Sequence, residues 1–563
     1  MTIRSVAIAS FSSSKAKRSR MSEMRLESDF NNDTSSSLML FIAAPLMGAA
    51  AGGMGWGIRG QYGHEWGAMV PGALVAFTMV FLFCRHSTSR YAARAVALTA
   101  LAMSFGGMMT YGQTVGLSHD RELIGNVEAF RWGMVGLFVK GGLWIGFAGA
   151  FLGIGLGGKQ YSWKEMAILF IGLLFLAFVG IQLLNRPYVP GSDRNVPWYF
   201  FSTPGDAERA LPWIYFSDHW HWEPDKEGLD PRPEIWGGLL AALVGLVAYV
   251  SFVKRDKLAR NMTFFGVLGG GLGFTTGQML QNKHSWTPGW LSDVDQSVHQ
   301  WMPSVYPEEF LSVMGWNWWN MMETTFGAVM GFVLGFGLWL NRKLVVQGDV
   351  PETGRIHVKV EWMLIAIYSV MLFLWSVPRY QGEIFEGYPI FELFAGYPMA
   401  MGLLPVVCIM GGRYWPYIYA LPMVTIPIAG ITLKARGGIP NPDESEFILV
   451  WTMKYLADTP FVSFLLFFLP LAIMTAAALF FERRGQAGQT GRTFTRYGLI
   501  LSAIIYCSLN FVFFGLPWAT LPAGGRHTNA WIFLRCAELL VIGALFLNRP
   551  EPRLVTEKSR TEP

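Results

Sequence analysis

"LMLFIAAPLMGAAAGGMGWGIRGQYGHEWGAMVPGALVAFTMVFLFC" (residues 38–84) decides the fold class. Its apolar ends, 38–58 and 66–84, each have roughly the 20 residues that a helix needs to cross the hydrocarbon of a bilayer. Backbone in lipid must satisfy its own hydrogen bonds, so both ends are expected to be helices. Between them lies "GGMGWGIRGQYGHEW" (52–66), rich in glycine and carrying Arg59, His64 and Glu65. Such a segment is either a solvated turn or irregular backbone and charge built around a ligand.

Working outward, the same alternation runs through the chain. Of its 563 residues 52% are hydrophobic and 15% charged, against about 25% charged in soluble domains. About 14 runs have spanning length: 38–58, 66–84, 95–115, 132–157, 165–184, 235–253, 262–281, 317–340, 360–377, 392–410, 414–432, 460–481, 497–515 and 530–547. Pro398, Pro405, Pro416, Pro422 and Pro427 interrupt the tenth and eleventh. The expected class is an all-α polytopic integral membrane protein.

Orientation follows from Lys and Arg, which collect in cytoplasmic loops. With the N-terminus inside, inner loops hold about two thirds of the 44 basic residues. "RHSTSRYAAR" (85–94), "KRDKLAR" (254–260) and "ERRGQAGQTGRTFTR" (482–496) are the clearest. Both termini are therefore expected in the cytoplasm, in the plasma or inner membrane. The net charge of +5 reads as orientation signal and calls for no nucleic acid. Cys84, Cys408, Cys507 and Cys536 lie in or at the ends of spans, and no CxxC or external disulfide framework is present.

Two stretches resemble each other. "EWGAMVPGALVAFTMVFLFCRH" (65–86) and "EIWGGLLAALVGLVAYVSFVKRD" (234–256) begin with an acid and Trp and end in basic residues. Each continues into a Gly-rich span ending in Gly-Gln, "GGMMTYGQ" (106–113) and "GGLGFTTGQ" (270–278), then into "GAFLGIGL" (149–156) and "GFVLGFGL" (331–338). Spans two to five are thus expected to repeat in spans six to nine. The offset of four makes the copies parallel. A fainter third copy starts at Glu392.

The expected organisation is a disordered basic cytoplasmic tail (1–36), a first span with its outer hairpin (37–64), repeat A (65–184) and an outer loop (185–233). Repeat B (234–377, with outer loop 282–316), a C-terminal helical region (378–547) and a cytoplasmic tail (548–563) follow.

Gly52-Gly53…Gly60-Gln61 is a third Gly-Gly…Gly-Gln segment. Glycine at these places serves close helix packing or unwound ends that line a polar cavity. In the second case Gln61, Gln113 and Gln278 supply amides to it. Most of the histidines and tryptophans fall on the expected outer side. "YFSDHWHWEPDKEGLD" (215–230) gathers Asp218, His219, His221, Glu223 and Asp225, metal-ligand types without a zinc signature. A solvated loop resting its Trp residues on the interface is the plainer reading.

Charged residues inside spans are functional candidates. Lys140 and Glu323 occupy matching places of the two repeats and could pair. Arg535 and Glu538, i and i+3, suit a structural pair on one helix face. Arg59, His64 and Glu65 form the outer-face cluster, with Arg59 suited to a carboxylate or phosphate. No Walker A, dinucleotide, GxSxG or metal signature occurs, and no cofactor is expected.

These features point first to a secondary-transporter-like permease for a small polar or anionic solute. Its site would draw on Arg59, Gln61, His64, Glu65, Gln113, Gln278, Lys140 and Glu323. An integral-membrane enzyme of the outer leaflet acting on a lipid-linked or glycan substrate is the alternative, with His64 or His119 and Glu65 or Asp120 as acid and base. A structural or assembly subunit is the third. The bilayer and the solute are the expected partners.

Overall fold

A computed structural model describes residues 34–84, 86–109, 111–185, 235–348, 354–377, 397–437, 456–484, 490–517 and 527–547. The described residues are helical and contain no β-strand. Residues 186–234, expected as an outer loop and holding Asp218, His219, His221, Glu223 and Asp225, lie outside them, as does Glu392.

The first helices are α1 (Thr34–Arg59), α2 (Glu65–Phe83), α3 (Ser89–Gly106), the short α4 (Gly112–His119) and α5 (Val127–Leu156). Then come α6 (Trp163–Leu184), α7 (Trp236–Val253), α8 (Lys257–Trp286), α9 (Trp290–Trp301), α10 (Trp318–Leu340) and α11 (Val358–Ser376). The C-terminal part holds α12 (Leu404–Gly411), α13 (Trp415–Arg436), α14 (Pro460–Arg484), α15 (Gly491–Phe514) and α16 (His527–Phe546). Eleven helices among the described residues are long and apolar enough to cross a membrane, consistent with a multi-pass membrane protein. Of the 14 expected runs, those in α3 and α8 and the one ending in α12 fall outside that set. The third run, expected to continue to 115, stops as a helix at Gly106 and resumes only at Gly112.

Six helices close a ring in which α1 packs on α2, α2 on α3, α3 on α5, α5 on α8, α8 on α10, and α10 back on α1. The α6–α7 pair leans on the outside of α5, α16 covers α1, and α15 covers α2 and α3. Every residue from Trp66 to Phe83 in α2 is buried. Ile168, Ile171, Phe175 and Phe178 on α6 are exposed, the apolar outer face expected of a helix against lipid.

Small residues set the ring's closest contacts. Ala44, Gly48 and Gly52 on α1 recur every fourth residue, as do Gly327, Gly331 and Gly335 on α10. A Cβ at Gly48 would run into the Gly331 carbonyl, and one at Gly52 into the Gly327 carbonyl. Gly141 of α5 and Gly270 of α8 face each other in the same way. Small residues let helix backbones approach where no hydrophobic force separates helix from lipid. Gly52-Gly53 and Gly270-Gly271 therefore sit inside continuous helix. Of the two readings of the Gly-Gln segments, close packing holds for these two glycine pairs, and the helix break falls in the glycine stretch of the third, between Gly106 and Gly112.

Outside the ring, buried Asp295 of α9 accepts hydrogen bonds from the Tyr306 hydroxyl (2.6 Å) and from the Leu311 and Ser312 amides (2.8 and 2.7 Å). Desolvation works against the charged carboxylate, but these bonds prevail and hold it down to about 2.

Candidate functional site

The α1–α2 hairpin turns over only a few residues. Helix α1 runs to Arg59, where the Gln61 amide bonds Ile58 O (3.1 Å) and the Tyr62 amide bonds Arg59 O (2.9 Å). Gly63 supplies the positive φ of +85° that lets the chain reverse into His64 and Glu65. That tight turn directs the Arg59 side chain inward, where it is 2% exposed.

Arg59 Nη1 donates to Glu323 Oε1 of α10 at 2.6 Å and also to the Tyr111 hydroxyl. Tyr111 in turn donates to Glu323 Oε1 (3.2 Å), and so does Trp319 Nε1 (3.3 Å), one turn away on α10. The guanidinium carbon lies 5.7, 5.3 and 5.4 Å from the ring centres of Trp56, Tyr111 and Trp144. Aromatic faces attract a cation, by about 2 kcal/mol or more once water is excluded. The site thus draws on α1, the break between α3 and α4, α5 and α10.

His64 reaches the same cation. Arg59 Nη2 and His64 Nδ1 are 3.2 Å apart, and guanidinium only donates, so Nδ1 accepts and the ring proton sits on Nε2. Burial, and then the Arg59 charge, push the imidazole down to about 3, so His64 is neutral at physiological pH. Glu65, the next residue, heads α2.

Two atoms of this arrangement lack a hydrogen-bond partner although both are buried: Glu323 Oε2 and Arg59 Nε. Oε2 faces Gly60, where a Cβ would strike it. Buried polar atoms are rarely left unpaired, so the pair has spare bonding capacity.

A second polar group lies where α4 rests on α5 and α8. Fully buried Lys140 donates to Thr114 Oγ1 at 2.9 Å. Gln278 Nε2 donates to Ser118 Oγ (2.9 Å) and Asn282 Oδ1 (2.8 Å), while Trp286 Nε1 holds Ser118 O (2.7 Å). Nearer the surface, His119 Nδ1 and Asp120 Oδ1 are 3.0 Å apart, and the His119 ring is 6.2 Å from Trp319.

Of the residues singled out in the sequence, Arg59, His64 and Glu323 come together, with Glu65 beside them. Lys140 and Gln278 belong to the second group. Gln113 is half-buried at the start of α4, and Gln61 is half-buried in the hairpin. Glu323 meets Arg59 instead of Lys140, the partner expected from the sequence, and Lys140 donates to Thr114. Arg535 and Glu538 do pair, at 2.6 Å, on an exposed face. Tyr111, Trp56, Trp144 and Trp319 escaped the sequence reading. Tyr111 stands in the quoted "GGMMTYGQ", and Trp319 precedes Glu323 by four, one helical turn.

The described residues contain no group of three or more His, Cys, Asp or Glu placed to hold a metal ion. No protein-family model, curated protein or solved structure matches the chain. The class that fold and site define is a polytopic helical membrane protein with a buried, aromatic-ringed ion pair.

Proposed function

We propose that the chain is a secondary-transporter-like permease for a small polar or anionic solute, with Arg59 and Glu323 at its centre. One observation carries this reading: a charged pair with unused bonding capacity is buried among membrane helices, beside a break between α3 and α4. Taking charges out of water costs several kcal/mol per ion, and apolar replacements often stabilise. A pair kept at that cost is a functional candidate. Broken helices beside a buried site are a transporter feature, because the freed backbone can meet a ligand.

The proposal includes 14 spans, cytoplasmic termini in the plasma or inner membrane, and parallel duplication of spans two to five. In support of duplication, α3–α5 and α8–α10 are both packed pairs in matching chain order.

Purified protein in liposomes, offered labelled organic anions, amino acids and inorganic phosphate, tests the reading. Uptake of one class should be lost in Arg59→Gln and kept in Glu308→Gln, an exposed outer-side control. Failure of every class to enter above empty liposomes overturns the transport reading. An outer-leaflet enzyme is the second reading, favoured by the His119–Asp120 pair beside Trp319. Hydrolysis of a lipid-linked substrate that is lost in His119→Gln would support it.

A further inference from the structure

We infer that the Arg59–Glu323 pair is the seat of a small organic monocarboxylate, whose carboxylate replaces that of Glu323 on Arg59 while Glu323 takes up one proton. This deepens the transport reading and rests on it for the direction of movement.

The seat is already filled by a carboxylate. Glu323 Oε1 receives Arg59 Nη1, the Tyr111 hydroxyl and Trp319 Nε1, the donor set that an incoming carboxylate would use. Arg59 Nε is a further buried donor with no partner, and a guanidinium binds a carboxylate best through two N–H groups at once. Trp56, Trp144 and Phe326 pack against one another beside the pair, with the Trp56 ring centre 4.3 Å from that of Phe326 and 5.1 Å from that of Trp144. Apolar surroundings favour an anion that carries a hydrocarbon body.

Charge balance sets the stoichiometry. The pair is neutral as it stands, Arg59 positive and Glu323 negative. Adding a monoanion alone would leave one uncompensated negative charge in a dry site, at several kcal/mol. One proton from solution, bound at Glu323, restores neutrality. Oε2, buried and without a partner, is the open position for it. No covalent bond forms or breaks except the O–H of the protonated carboxyl. A dianion would need a second proton, and that disfavours phosphate.

Among the groups around Glu323, Glu65 is the other carboxylate able to take a proton, and the loss of proton uptake in Glu323→Gln separates the two. Arg59 comes from α1, the Tyr111 phenol from the chain before α4, and the Trp319 indole from α10 itself. His64 of the hairpin accepts from Arg59 Nη2, and Glu65 follows it at the head of α2. Lys140 of α5 is held at Thr114, and α8 presents Phe274, stacked on Phe326 at 4.7 Å.

Titration calorimetry of the full chain in detergent, with sodium benzoate and sodium acetate in two buffers of different ionisation enthalpy, counts the protons. Wild type is expected to take up about one proton per anion. Its affinity should fall about tenfold per pH unit where Glu323 is ionised, because one proton is linked to binding. Glu323→Gln, nearly isosteric, should bind with no proton uptake and no pH slope, and Arg59→Gln should not bind. Binding without proton uptake in wild type, unchanged binding in Arg59→Gln, preference for inorganic phosphate, or no binding of either carboxylate would each overturn the inference. If the carboxylates bind with a proton but none enters liposomes, the seat stands and the transport reading fails. If carboxylates enter liposomes without protons, transport stands and the proton-linked seat fails.

Discussion

Arg59 works through its neighbours, and His64 is the one whose state can be read by titration. Its imidazole is held near 3, against 6.5 for the free side chain, by burial and by the Arg59 charge. Between those values the unfolded chain binds a proton that the folded protein refuses. Stability from this residue is therefore complete above 6.5 and declines as pH falls toward 3. The apparent melting temperature of wild type in detergent should drop across that window. His64→Gln, which has nothing to titrate there, should drop less. Parallel acid curves for the two proteins would show that His64 is not buried against the cation.

At the scale of helices, glycine decides how closely the ring closes. Gly331 abuts the Gly48 carbonyl, whereas a Cβ at Gly172 on α6 meets nothing within 4 Å. Overfilling a packed contact costs about 1–3 kcal/mol and sometimes more. Gly331→Val should lower the melting temperature and the folded yield by size exclusion, and Gly172→Val should leave both near wild type. Equal tolerance at the two positions would refute the packing account. Much of this level was legible in the chain. Apolar run length marked the helices, and the Gly-Gly repetition marked close packing as one of two readings. The break between Gly106 and Gly112 was harder to locate, because glycine both packs helices and ends them and composition does not separate the two. The site was legible as single residues only. Glu323 is legible as a charge inside a span and Arg59 as part of the outer-face cluster, but they lie 264 residues apart, and no local period joins them. Repeat position paired Glu323 with Lys140 instead. Tyr111 and the tryptophans stayed hidden because aromatic residues are common at any membrane interface.

For the whole molecule the expectation is orientation. Ser297 on α9 and Arg260 near the start of α8 are both exposed and should lie on opposite sides of the membrane. An impermeant thiol reagent should label Ser297→Cys in intact cells and Arg260→Cys only after permeabilisation. The native background is small, because Cys84, Cys408 and Cys507 are buried. The reverse pattern would invert the topology and put the Arg59 hairpin on the cytoplasmic side. The central claim is that the molecule keeps the Arg59–Glu323 pair for function and not for its fold. Removing one partner of a buried pair costs about 3–5 kcal/mol, yet replacing both with apolar residues is often neutral or stabilising by about 1–4 kcal/mol. The most direct measurement is proton-driven uptake of labelled benzoate and acetate by liposomes holding Arg59→Met/Glu323→Leu, beside its melting temperature. The account predicts a melting temperature at or above wild type with uptake reduced to the level of empty liposomes. A folded double variant that still takes up the carboxylate as wild type does would contradict it.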